Sequence, residues 1–129
     1  MKSSMDYRNV KLESELHGLS VREPEGYEDL AIIGNLDNNY DTDNLRPILE
    51  ELKEMNRNRL IFDLSKYPDS SRNNWMAFLD GIVIGNYGRS QSGFRTRYVG
   101  VEELGIGWLY RFKDKVSIDL ENAVQSISN

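Results

Sequence analysis

The chain has 129 residues, a mass of 14.9 kDa and 39% hydrophobic residues, the size of one domain with a core of its own. A formal net charge of -5 argues against a nucleic-acid reader, whose affinity rests on basic groups that neutralise phosphates. With no cysteine there is no disulfide framework, thiol nucleophile or thiolate metal site, which fits a reducing, cytoplasmic setting.

The opening segment, through about residue 11, carries mixed charge and lacks the apolar block of a secretory signal. It is expected to be flexible, with one domain over 12–129. Leu16 to Arg22 and Leu30 to Gly34 are short β-favouring runs on either side of the turn-rich EPEGYED, the pattern of a hairpin. Leu45, Ile48, Leu49, Leu52 and Met55 then follow the three-four spacing of one helical face, with Asn44 as the expected cap and Pro47 in the first turn. Arg59 to Leu64, RLIFDL, is a compact apolar run, as in a strand covered on both faces.

From Ser71 the helical period returns, with Trp75, Phe78, Leu79, Ile82 and Val83 as its stripe. The apolar stretch from Trp75 to Gly85 is broken by Asp80 and falls short of the ~20 residues a bilayer needs, so no membrane span is expected. FRTRYVGV reads as a strand and Glu102 to Leu104 as a helical turn. Ile106 to Phe112 alternates as a strand would, Val116 to Ile118 is a second strand candidate, and the spacing leaves the choice open. Leu120, Ala123, Val124 and Ile127 predict a last helix capped by Ser117 or Asp119. The order implies an α/β domain, a mixed β-sheet of four to five strands with about four helices packed on it.

The segments AIIGNLDNNYDTDNLRPILEEL, RLIFDLS, the PDSS turn, YVGVEELGI and SIDLENAV resemble, in order, the landmarks of STAS domains, a family of anti-sigma-factor antagonists and related regulatory modules. The resemblance covers about Leu16 to the end. It implies a STAS-like fold, no cofactor, no catalysis, and a protein partner such as an anti-sigma factor or a switch kinase in a bacterial-type pathway. It also implies that Ser70, with Ser71 beside it, is the phosphorylation candidate, and that Asp37, Asn38, Asp69 and Arg72 belong to the partner-binding face. Arg72 stands where the family has Gly, placing a long charged side chain on the docking surface. The short DLSKY turn followed by Trp75 also resembles the SpoIIAA-like branch, which lacks the phosphorylatable signature. A phosphate on Ser70 would sit in the positive field of a helix amino end and add about -1.5 to -2 charge. The plainer role of Asp69, Ser70 and Ser71 is to cap the helix.

Other chemistries fit less well. A calcium loop counted from Asp37 has Thr42 and Ile48 where Gly and a bidentate Glu belong. Asp63 has the strand-end position of a receiver-domain phosphoacceptor, but neither VRE nor GNLD supplies the acidic pair that holds magnesium; ending the strand through a hydrogen bond to the turn explains it better. His17, the only histidine, has no nucleophile elbow beside it and reads as a strand-surface residue. GNYGRSQSG lacks the Lys-Ser/Thr ending of a P-loop. Arg89, Arg95, Arg97, Arg111, Lys113 and Lys115, with Tyr98 and Tyr110, form a candidate basic patch whose alternation suits a solvated strand face. Trp75 and Trp108 are candidates for lining an apolar ligand or lipid groove, the alternative function.

Overall fold

LAIIGN and RLIFD are apolar without alternation because each is covered on both faces, and the two pair in parallel at the middle of a single sheet. The computed structural model describes residues 5–35, 42–67, 69–87, 94–101 and 112–128, with the side chains of 35, 42, 69–71 and 84–87 set aside. These residues form β1 (Tyr7–Asn9), β2 (Leu19–Pro24), β3 (Leu30–Asn35), β4 (Arg59–Asp63), β5 (Arg95–Val99) and β6 (Val116–Ser117), neighbours in chain order across the sheet. β1–β2 and β2–β3 pair antiparallel, whereas β3–β4, β4–β5 and β5–β6 pair parallel. The described helices are α1 (Thr42–Glu54), α2 (Asp69–Tyr87) and α3 (Leu120–Ser128).

The mixed sheet with helices packed on it is the α/β architecture expected, with six strands rather than four to five and three described helices rather than about four. Alternate residues of the central strands feed two cores. Ala31, Ile33, Leu60, Phe62 and Tyr98 pack with Leu45, Leu49 and Leu52 of α1 and with Met76, Leu79 and Val83 of α2. Leu30, Ile32, Ile61 and Val99 pack with Ala123, Val124 and Ile127 of α3. Thus α1 and α2 share one face of the sheet and α3 covers the other.

Several boundaries differ from the sequence expectation, each for a local reason. The sheet begins at Tyr7, upstream of the expected start at residue 12, because Tyr7–Asn9 pairs with Arg22–Pro24 and Val10 is buried behind it. α1 starts at Thr42, so Asn44 is its third residue rather than its cap. Pro47 then falls in the second turn, where it removes one ladder bond on the exposed side of the helix. On α2 the buried stripe is Met76, Leu79, Ile82 and Val83, and Phe78 is 46% exposed. Of the two caps considered for the last helix, Asp119 is used: its Oδ1 accepts the Asn122 N–H at 2.8 Å, while Ser117 belongs to β6. Val116 and Ser117 thus make a strand, and both the alternating run 106–110 and the helical turn at 102–104 lie outside the described residues.

Two carboxylates fasten the amino-terminal part. Glu23, buried in β2, pairs with Arg57 at 2.7 Å and accepts from Arg8 Nε at 2.8 Å, while Arg57 also donates to the Leu30 carbonyl at 3.0 Å. Burial pushes the Glu23 carboxyl up, but the hydrogen bonds and charges of Arg8 and Arg57 outweigh it and hold the group below its ordinary value. On α1, Glu51 accepts the N–H of Glu13 at 2.7 Å, and the N–H and hydroxyl of Ser14 at 2.9 and 2.8 Å. These bonds, that from Glu13 foremost, lower its carboxyl too.

Because both folded-state values lie below the unfolded one, the stability these groups contribute is complete above about pH 4.3 and is lost as pH falls through the depressed values. Urea midpoints measured from pH 6 down to pH 3 should fall, and Glu51→Gln should flatten part of that fall. Arg57→Ala, which strands Glu23 beside a single cation, should cost about 3 kcal/mol in the same measurement at pH 7.

Candidate functional site

The parallel strands β3, β4 and β5 end level with one another, Gly34 beside Asp63 and Asp63 beside Val99. The carboxyl edge of such a sheet is where open α/β folds most often place binding, because loops and helix starts converge there. At this rim the ladder stops and backbone groups need other partners. Asp63 supplies two, its Oδ1 accepting the Ser65 N–H at 3.0 Å and the Ser65 hydroxyl at 2.6 Å. This is the strand-ending role expected for it. Leu64 N–H donates to the Val99 carbonyl at 2.8 Å, and Tyr67 N–H to that of Leu64 at 3.1 Å.

The turn from Ser65 to Tyr67 lies hard against the end of β5. Gly100 has φ +100, and a Cβ there would stand 2.8 Å from the Ser65 nitrogen, so both the dihedral and the close approach require glycine. Arg72, in the first turns of α2, locks the same junction. Its Nε donates to the Tyr67 carbonyl at 2.8 Å, Nη1 to Gly100 at 2.8 Å and Nη2 to Ser65 at 2.9 Å. A cation near a helix amino end faces the positive end of the dipole, and here three carbonyl oxygens offset that cost. The half-buried Arg72 guanidinium thus binds the backbone of the turn and of the end of β5.

The sequence candidates divide accordingly. Asp69, Ser70 and Ser71 form the opening of α2 at this rim, directly before Arg72, and their helix-start placement agrees with the sequence reading. β3 ends at Asn35 on the same edge, whereas Asp37 and Asn38 lie outside the described residues. Trp75 is half-buried: its ring stacks on Tyr67 at 4.9 Å between centroids and meets the Phe78 ring edge-on at 5.6 Å. Trp108, the other candidate for a ligand groove, lies outside the described residues.

Arg97 and Lys115 do not share a basic patch. Arg97 Nε donates to Ser126 of α3, at 3.0 Å, whereas Lys115 pairs with Asp80 of α2 at 2.9 Å across the sheet. Tyr98 is fully buried; Arg89, Tyr110 and Arg111 lie outside the described residues. His17 sits in the turn before β2 at φ 50, not on a strand, with Nε2 3.4 Å from the exposed Glu15 carboxylate. Among the described residues no group of three or more His, Asp or Glu side chains is placed to hold a metal ion, and no helix is long and apolar enough to cross a membrane.

Gly100 and the carbonyl clamp of Arg72 are the parts of the rim that sequence spacing does not disclose; a glycine directly after the strand RTRYV is the one available signal. Gly100→Ala should destabilise the fold by more than about 1 kcal/mol, from the strained dihedral and the contact with Ser65 together. Arg72→Lys keeps the charge but cannot reach three diverging carbonyls, so it should cost about 2 kcal/mol, close to the cost of Arg72→Ala. Urea denaturation of the three variants checks both expectations. Comparisons of this chain with models of known protein families, with curated proteins and with solved structures find no match.

Proposed function

We propose that this chain is a non-catalytic regulatory module of the STAS kind, which binds a protein partner in the cytoplasm through the rim where β4 hands over to α2. The observation that carries the reading is the clamp of Arg72. It ties the β4–α2 turn to the end of β5, so that Ser70 and Ser71 open a helix on a surface whose backbone is already ordered. A surface fixed before contact loses less conformational freedom on binding, which favours recognition by a macromolecule. The polar groups of the turn that are engaged, those of Asp63, Ser65 and Arg72, bond to one another and to backbone; this suits a docking surface better than a reacting centre.

Phosphorylation of Ser70 is the switch this reading supplies. The added charge of about -1.5 to -2 would lie at the amino end of a 19-residue helix, in a favourable field, and would change what a charged partner meets at the rim. The partner class is an anti-sigma factor or a switch kinase.

Capture by the immobilised chain from an extract of its source cells tests the proposal, with four proteins in parallel: native, Ser70→Ala, Ser70→Asp and Lys66→Glu. Lys66 is exposed on the turn itself. A protein captured by the native chain and Ser70→Ala should be lost about tenfold or more with Ser70→Asp and with Lys66→Glu. Equal capture by the two Ser70 variants overturns the switch, and full capture by Lys66→Glu overturns the rim as the contact face.

A further inference from the structure

We draw no further inference here: the strongest candidate, the open groove between the 11–14 segment and α1 lined by Glu13, Glu50, Glu54 and Met55, is a cluster of exposed carboxylates on an acidic chain, and nothing in the structure shows what fills it.

Discussion

The structure depends on β4 being buried on both sides. Leu60, Ile61 and Phe62 are each fully excluded from solvent, alternating between the core under α1 and α2 and the core under α3. No single helical layer could satisfy such a strand, because the side-chain period of two would leave half of it facing water. Its parallel neighbours follow from this. β3 and β5 reach β4 only through crossovers, and α1 and α2 are those crossovers, both on one face. The chain must then leave β4 at its carboxyl end and turn sharply to begin α2. That turn is where ladder partners run out, and Asp63, Arg72 and the bare backbone of Gly100 supply what the sheet no longer does.

Much of this is legible in the sequence where the signal is local. RLIFDL announces a doubly covered strand, the spacing of Leu45, Ile48, Leu49 and Leu52 announces α1, and Leu120, Ala123, Val124 and Ile127 announce α3. A helix opening at the PDSS segment is also legible, two residues later than its observed start at Asp69, as is the strand-ending role of Asp63. The rest fails for identifiable reasons. YRN has no hydrophobic alternation, so β1 is set by backbone pairing with β2 and by the reach of Arg8 to Glu23, fifteen residues away. Arg72 meets Gly100 across 28 residues, a contact that no spacing rule encodes. On the site itself, sequence reasoning places the hydroxyl residues at the opening of the helix but does not disclose the three carbonyls to which Arg72 donates.

The assignment of Phe78 to the core has a different cause. α2 is apolar nearly all round, so several three-four stripes can be drawn along it, and hydrophobicity alone does not specify which one faces the sheet. A polar residue with fixed partners does specify it. Asp80 accepts the Tyr98 hydroxyl at 2.9 Å and pairs with Lys115 at 2.9 Å, with the Thr96 hydroxyl 3.4 Å away, and all three lie in β5 or just before β6. Turning α2 about its axis to bury Phe78 would carry that carboxylate out of reach of Tyr98 and leave the phenol and the ammonium without it. An unsatisfied buried polar group costs more than one additional buried ring edge returns.

The pairing of buried Asp80 with half-buried Lys115 and the uncharged outer face of α2 are therefore two consequences of one choice. By fixing the roll of an otherwise ambiguous helix, Asp80 turns Met76, Leu79 and Val83 inward and leaves Phe78 beside Gly81 outward. The same roll fixes the direction in which Arg72, earlier on the same helix, reaches the carbonyls of Ser65, Tyr67 and Gly100. One carboxylate in the middle of an apolar helix thus sets both what that helix holds together at the rim and what it presents to its surroundings.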